Sequence, residues 1–256
     1  MRAGAFIAAL EPVGVTAPAI RVALNRLVHT GVLLRQRQGR EISFSLTESG
    51  LDLLCEAVDR VREPRIILVD KVGWTLCTFS IPERQRALRH RVRSILTWAG
   101  FAPVRDGLWL APGEADLTVP LRLVRDQIPE GSLLVFHARE LEGFPIDGAV
   151  RQAWDIDAIR RAHEIFGSTW SHTFVTTGTT SALATMTTLV ADWLALLRSD
   201  PGLPREYMGK DFALPRSVQV YERLRETLGP LARAEFEDLC AGRVRSAEPL
   251  VLAAPG

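Results

Sequence analysis

The sequence contains little lysine, few cysteines and no long apolar segment. Only two of its 31 basic residues are lysine, so arginine is the ordinary cation of this chain and single arginines carry little information. The three cysteines are isolated, which favours a reducing compartment over a disulfide framework or a structural zinc site. No apolar run reaches the roughly 18–20 residues that span a bilayer, and no charged leader precedes an apolar segment. We therefore expect a cytoplasmic protein that does not cross a membrane.

The signatures of common catalytic and nucleotide-binding sites are also missing. The chain has no Gly-x-Gly-x-x-Gly, phosphate-loop, His-Glu-x-x-His or Gly-x-Ser-x-Gly motif. The five histidines are scattered, and we expect the neighbours His163 and Glu164, on a predicted helix, to have a structural role. The sequence therefore predicts no enzyme activity, no metal site and no cofactor.

The overall composition is that of a soluble globular protein. The 256 residues are 47% hydrophobic and 24% charged, and the formal net charge is only +1. A chain with so little net charge does not bind polyanions over its whole surface. Any interaction with nucleic acid must therefore come from a local basic patch.

One stretch combines a helical pattern with local positive charge. Apolar residues recur at helical spacing over residues 17–30, and Thr16 is suited to cap this helix. The apolar stripe comprises Ile20, Ala23, Leu24, Leu27 and Val28. The side chains away from the stripe include Arg21, Asn25 and Arg26. Arginine and asparagine can form paired hydrogen bonds with the edges of guanine and adenine, so this face can read DNA.

A hairpin with a basic tip follows the helix. Strands are predicted from residue 32 and over residues 42–46, joined by a turn at Gln38-Gly39. The tip carries Arg35, Arg37 and Arg40. Between residues 21 and 40 there are five arginines and no acidic residue.

With a short apolar helix predicted over residues 3–10, this pattern is typical of a winged helix-turn-helix, whose second helix enters the major groove while the hairpin contacts phosphates. The alternative is an amphipathic helix on a hairpin whose arginines serve solubility. The absence of acid from this segment favours DNA binding.

The remaining chain predicts two further domains. A ferredoxin-like β-α-β-β-α-β order is indicated by strands at 72–80, 101–105, 108–111 and 132–138 and by helices at 84–99 and 117–128. Helices are then predicted at 154–166, 181–198, 215–228 and on to 239, with a loop at 168–180. The predicted fold class is α+β, and the predicted domains are a winged helix-turn-helix (1–63), a ferredoxin-like domain (66–145) and a helical domain (150–242).

Motifs in all three parts carry a resemblance to a known family. The winged segment contains AIRVALNRL at 19–27, GVL at 31–33, Gly-Arg at 39–40 and Leu-Thr-x-x-Gly at 46–50. The central segment contains Gly-Trp at 73–74, FSIPE at 79–83, Arg89, Gly-Phe at 100–101 and GLWLAP at 107–112. The helical segment contains Asp-Pro-x-Leu-Pro at 200–204. In this order the chain resembles the PaaX family of bacterial transcriptional repressors, which control phenylacetate catabolism and related pathways.

The resemblance implies a repressor that binds double-stranded operator DNA as a homodimer and has a Cas2-like central domain without nuclease function. It also implies release from DNA by an aromatic acyl-CoA such as phenylacetyl-CoA. DNA contacts are then expected from Arg21, Asn25, Arg26, Arg35, Arg37 and Arg40. Because the thioester needs cations for its phosphates and an apolar slot for its acyl group, effector contacts are expected from Trp74, Arg89, Arg93 and Trp109.

The sequence also departs from the family pattern. The family has one more helix before residue 3, so we expect either an upstream start or another element that covers Phe6 and Ile7. The residues at 206–208 and 211–213 differ from the family's, which leaves the identity of the effector open. Two alternatives stay open: a Cas2-like metal-dependent nuclease with Asp70 as a ligand, and a regulator that no longer binds DNA.

Overall fold

The computed structural model describes residues 1–39, 41–62, 72–122, 124–172 and 181–241. The N-terminal part is helical with a two-stranded hairpin, as the sequence predicts. It contains α1 (Ala3–Leu10), α2 (Ala17–His29), β1 (Leu33–Gln38), β2 (Glu41–Leu46) and α3 (Glu48–Arg62).

A small apolar core holds α2 against the hairpin. Ile20 and Leu24 of α2 are 2% and 5% exposed and pack with Leu33 and Phe44 of the two strands. Phe6 of α1 meets the Phe44 ring edge-on at 6.1 Å between centroids. These contacts fix which face of α2 points outward.

Thr47 joins the hairpin to α3. Its hydroxyl donates to the Gly31 carbonyl at 2.6 Å and accepts from the Gly50 amide at 2.9 Å, so it caps α3 and ties it to the end of α2. A side chain at Gly50 would collide with the Val32 carbonyl. In the Leu-Thr-x-x-Gly motif the threonine is therefore required as the cap of α3, and the glycine is required because the backbone of Val32 lies too close for a side chain.

The first two residues of the chain bond to strand β2 of the hairpin. The Met1 amino group donates to the Phe44 carbonyl at 2.7 Å, and the Phe44 amide donates to the Met1 carbonyl at 2.9 Å. Arg2 forms an ion pair with Glu41 at 3.3 Å. The segment before α1 thus lies along β2.

The central part has the predicted ferredoxin-like topology. Its sheet comprises β3 (Trp74–Phe79), β4 (Ala102–Arg105), β5 (Leu108–Pro112) and β6 (Leu133–Ala138), in the order β4-β5-β3-β6 with antiparallel neighbours. Helix α4 (Arg86–Trp98) covers one face through Leu88, Val92 and Leu96.

The prediction of one continuous helix over residues 117–128 is wrong, because the helix that forms there is much shorter. The chain forms only α5 (Thr118–Leu121) and a separate 3-10 turn at Arg125–Gln127. The Val124 amide donates to the Leu121 carbonyl, a bond that spans three residues rather than the four of an α-helix. This tighter turn brings both buried side chains into the core, which outweighs the helical pattern.

The C-terminal part is helical, with two short helices that the sequence did not predict. It contains α6 (Asp147–Ala153), α7 (Ile156–Ser171), α8 (Ala182–Ser199), α9 (Arg205–Met208) and α10 (Leu214–Cys240). Helices α6 and α9 are the unpredicted ones, and each is of seven residues or fewer.

Two other boundaries differ from the prediction. The predicted loop begins inside α7, because Trp170 is 2% exposed and its indole donates to Asp192 at 3.0 Å. Helix α10 continues through Pro230, since Leu228 and Ala232 on either side are buried and hold the two halves in line. The rest of the predicted loop, 173–180, lies outside the described residues.

The Asp-Pro-x-Leu-Pro motif surrounds a buried contact between a histidine and an aspartate. His163 Nε2 lies 3.0 Å from Asp200 Oδ2, and these side chains are 0% and 4% exposed. The other Asp200 oxygen accepts from the Gly202 amide at 2.7 Å. Asp200 thus connects α7 to the turn that ends α8, in agreement with a structural role for His163.

The chain divides into two compact units. One comprises Met1–Ile66, Gly167–Leu194 and Arg216–Gly256, and the other Ile67–Phe166 and Ala195–Pro215. The domain boundaries 1–63, 66–145 and 150–242 stay predictions.

Candidate nucleic-acid interface

The outward face of α2 carries the predicted base-reading side chains. Arg21, Asn25 and Arg26 are all exposed, whereas Ile20 and Leu24 on the other side of the helix are buried. The amphipathic pattern therefore predicted the orientation of this helix correctly. Its outward face presents two guanidinium groups and one amide, the donors and acceptor that can pair with base edges.

The structure adds Val22 to this face. Val22 is 68% exposed and lies between the polar residues, whereas Ile20 and Leu24 of the apolar stripe point into the core. Ala23 and Leu27 of that stripe are exposed, so the buried face of α2 is narrower than the sequence predicts. The sequence contained the signal, because a valine one position before Ala23 falls outside the apolar spacing. An exposed aliphatic group on a base-reading helix is suited to the methyl group of thymine.

The hairpin presents its arginines on one face. Arg35 and Arg37 are exposed and lie opposite Phe44 and Ile42 in the strand register, so they share the face that packs on α2. The Arg37 guanidinium donates to the Gly39 carbonyl at 3.1 Å, which folds the side chain over the turn. Arg40, the third predicted tip contact, lies outside the described residues.

The positive charge of this surface is not neutralised locally. Neither α2 nor β1 contains an acidic residue. Glu41 at the start of β2 is the acid that follows, and Arg2 pairs with it. Within the part of the chain that the structure describes, no ion pair joins an α2 or β1 arginine to a carboxylate. The guanidinium groups therefore remain available to an anion.

The four predicted effector residues do not meet in one site. Trp109 belongs to the core beneath α4, and Trp74 belongs to the core on the opposite face of the sheet. Both tryptophans are nearly buried, at 6% and 5% exposed. Arg93 is exposed on α4. The two tryptophans therefore do not share one site, and Trp109 is the one that lies beneath α4. The effector contacts stay a prediction.

Arg89 is engaged in local structure. Its guanidinium donates twice to the Ile81 carbonyl, at 3.2 and 2.5 Å, and once to Glu83 at 2.6 Å. These bonds join α4 to the turn that follows β3. The FSIPE motif and Arg89 are thus parts of one structural contact.

The same three-part order is found by comparison with protein families. The PaaX-like protein model matches residues 1–50, the PaaX protein central Cas2-like domain matches residues 70–144, and the PaaX-like protein C-terminal domain matches residues 154–238. This chain belongs to the PaaX family. Its membership supports a PaaX-like transcription regulator.

Other comparisons add little. No curated protein matches the chain. One solved structure, "Uncharacterized protein Rv0674 from Mycobacterium tuberculosis", is 21% identical, covers 90% of this chain and 89% of its own, and superposes with a TM-score of 0.49.

No group of three or more histidine, cysteine or acidic side chains that could hold a metal ion occurs among the residues with described positions. Asp70, the ligand in the nuclease alternative, lies outside them. No helix in the described ranges is long and apolar enough to cross a membrane.

Proposed function

We propose that this PaaX family member is a cytoplasmic repressor that binds operator DNA through α2 and the β1–β2 hairpin. The observation that carries the proposal is the exposed, acid-free surface formed by these elements. Helix α2 would lie in the major groove, with Arg21, Asn25 and Arg26 at base edges or adjacent phosphates. The hairpin would contact phosphates through Arg35, Arg37 and Arg40.

We propose a homodimer as the DNA-binding form. Two copies of α2 related by a two-fold axis would enter successive major grooves of a near-palindromic operator. Such pairing doubles the contacts and gives the specificity that one short helix cannot provide. The operator is then expected to contain two half-sites about one helical turn apart.

The proposed effector is an aromatic acyl-CoA such as phenylacetyl-CoA, as in the family that this chain resembles. The phosphates of this ligand need cations. Of the two arginines predicted to contact it, Arg89 and Arg93, only Arg93 is fully exposed on α4. Calorimetry on Arg93→Ala tests this contact, with Arg91→Ala as the matched control of equal charge on the same helix. A loss of affinity confined to Arg93→Ala supports the assignment, and equal affinities of both variants contradict it.

Fluorescence anisotropy tests the proposed function. The protein is titrated onto its own promoter DNA and onto a shuffled duplex at two salt concentrations, with and without phenylacetyl-CoA. Specific binding that the thioester releases supports the full proposal. Specific binding that the thioester leaves unchanged retains the repressor and rejects this effector. Equal binding to both duplexes, or none, contradicts the repressor, and Mg²⁺-dependent cleavage of the duplex would favour the nuclease alternative.

A further inference from the structure

A cleft of about 1200 Å³ lies between the winged part of the chain and helices α8 and α10. One wall is the side of α1 that carries Gly4 and Ala8. The opposite wall is formed by Leu183 of α8 and by Phe236 and Leu239 of α10. All of these residues belong to the first compact unit. The cleft is at least as large as the sites that bind drug-sized molecules, which are roughly 300–1,000 Å³.

The walls of the cleft present apolar surface. Ala8 is exposed, Phe236 is 37% exposed, and a side chain added at Gly4 would meet no neighbouring heavy atom within 4 Å. Further apolar residues line the cleft, namely Ala3, Ala5, Ala9, Pro12 and Ile42. Apolar walls that face each other across such a space lose hydration and gain dispersion contacts when an apolar molecule enters. The cleft is therefore suited to an apolar ligand.

The cations at the cleft are paired within the chain. The Arg2 guanidinium lies 3.3 Å from the Glu41 carboxylate, and the Met1 amino group donates to the Phe44 carbonyl at 2.7 Å. Among the described residues, both cations that line the cleft thus have partners. A charged group of a ligand would have to displace one of these contacts to be satisfied there.

The remaining carboxylate of the cleft is used as a helix cap. Glu235 of α10 accepts a hydrogen bond from the Ser181 hydroxyl at 2.8 Å. It also accepts from the Ala182 and Leu183 amides, both at 2.9 Å, at the start of α8. These bonds satisfy the carboxylate and place it at the positive end of the α8 dipole. Glu235 therefore joins the two helices that form one wall, and its charge is already satisfied.

We propose that this cleft binds an uncharged aromatic or aliphatic molecule. Its accessible walls are apolar, and its charged groups are satisfied by contacts inside the chain. A phosphate or carboxylate would lose water there without gaining an unpaired cation, whereas an uncharged apolar molecule loses only unfavourable hydration. The ligand therefore differs in chemistry from the acyl-CoA effector of the proposed function, and the inference goes beyond that function.

The position of the cleft brings its ligand next to the elements that support α2. Ile42 lines the cleft and also packs against the core of the winged part, which contains Ile20 and Leu24 of α2. Phe6 on α1 meets Phe44 of the same core. A molecule in the cleft thus contacts the same helix and strand that hold α2 in place.

Titration of the full chain with N-phenyl-1-naphthylamine tests the site, because this uncharged aromatic probe becomes fluorescent in apolar surroundings. Wild type is expected to bind the probe saturably, with one molecule per chain. Gly4→Leu and Ala8→Phe each place a larger apolar side chain in the cleft and are expected to weaken binding about tenfold or more, since single methylene groups decide the fit of an apolar pocket. The matched control is Ala87→Phe, at an exposed alanine of α4 that does not line the cleft. Circular dichroism checks that each variant is folded.

Cysteine labelling locates the probe in wild type without any substitution. Cys240 lines the cleft, whereas Cys55 on α3 is exposed and does not line it. Saturating probe is expected to slow the reaction of Cys240 with N-ethylmaleimide several-fold and to leave the reaction of Cys55 unchanged. Peptide mass spectrometry measures both rates in the same sample, so Cys55 serves as the internal control.

Competition tests the class of ligand. Toluene is expected to displace the probe, and phenylacetyl-CoA is expected to leave it bound. Displacement by the thioester would reject the assignment to uncharged ligands.

The proposal is overturned if wild type shows no saturable binding, if both folded cleft variants keep wild-type affinity, or if the probe leaves the labelling rate of Cys240 unchanged. Sedimentation velocity tests the other occupant: if Ala8→Phe dissociates a wild-type dimer and Ala87→Phe does not, the cleft belongs to a second copy and the proposal fails. None of these assays contains DNA, so the proposed function and this inference can fail independently.

Discussion

Helices α2 and α4 are both amphipathic and both rich in arginine, yet they present their charge differently. The α2 arginines are exposed and have no described carboxylate partner. On α4, Arg89 is bound to the Ile81 carbonyl and to Glu83, and Arg86 donates to His90. The comparison shows that a count of arginines does not identify an anion-binding surface in an arginine-rich chain. What distinguishes α2 is that no described side chain or backbone group binds its arginines, whereas Arg86 and Arg89 of α4 are held by local contacts and only Arg91 and Arg93 are left.

Asn25→Ala is the single substitution with the largest expected effect on DNA binding. A bidentate asparagine–adenine contact is worth roughly 1–3 kcal/mol, so affinity for the promoter should fall about 10-fold to 100-fold. Affinity for a shuffled duplex should stay unchanged, because asparagine carries no charge. Anisotropy on both duplexes measures the difference. An equal loss on both would place Asn25 outside base reading.

Arg89→Ala is expected to act on stability and to leave DNA binding unchanged. The Ile81 carbonyl loses two hydrogen bonds and the turn before α4 loses its link to the helix, which we expect to cost about 1–2 kcal/mol. Thermal unfolding measures this loss, with Arg91→Ala on the exposed surface of α4 as the control. Equal melting temperatures of the two variants would contradict the structural role of Arg89.

Arg37→Ala should weaken binding to all duplexes alike. A phosphate contact carries no sequence information, and its loss should make the slope of log affinity against log salt shallower by about one unit. A titration at four salt concentrations on promoter and shuffled DNA gives the slope. An unchanged slope would remove Arg37 from the wing contact.

The smallest effect is expected at Val22. Its contact with a thymine methyl should contribute about 1 kcal/mol or less, in line with a single apolar contact of this size. Replacing thymine by uracil in the operator deletes the methyl group without altering the protein. The replacement should weaken wild type several-fold and leave Val22→Ala unaffected. Equal loss in both proteins would show that Val22 does not read the methyl group.

Short-range patterns predicted much of the fold. The spacing of Ile20 and Leu24 predicted the orientation of α2, and Thr16 was correctly predicted as its cap, since its hydroxyl accepts from the Ala19 amide. The alternation of strands and helices gave the ferredoxin-like order. In each case a local feature, a cap or an apolar period, agrees with the tertiary contacts.

Contacts between residues far apart in the sequence determine the features that the sequence patterns did not predict. Nothing local showed that Trp170 would reach Asp192 and extend α7, or that buried neighbours would carry α10 through Pro230. In the sequence Arg89 is one of several arginines on α4. Its structural role depends on the Ile81 carbonyl, which the fold places within hydrogen-bond distance of its guanidinium. Either Trp74 or Trp109 was expected near the α4 arginines, and strand register, which places the two on opposite faces of the sheet, puts only Trp109 beneath α4.

The most direct test of the α2 interface compares two double variants of equal charge. Arg21→Ala with Arg26→Ala removes two exposed arginines from α2, and Arg84→Ala with Arg91→Ala removes two from the region of α4. Anisotropy on the promoter duplex should show binding reduced by about 100-fold or more in the first, from two lost contacts of roughly 1–3 kcal/mol each, and little change in the second. Equal weakening by both pairs would mean that overall charge binds the DNA and would contradict an interface at α2.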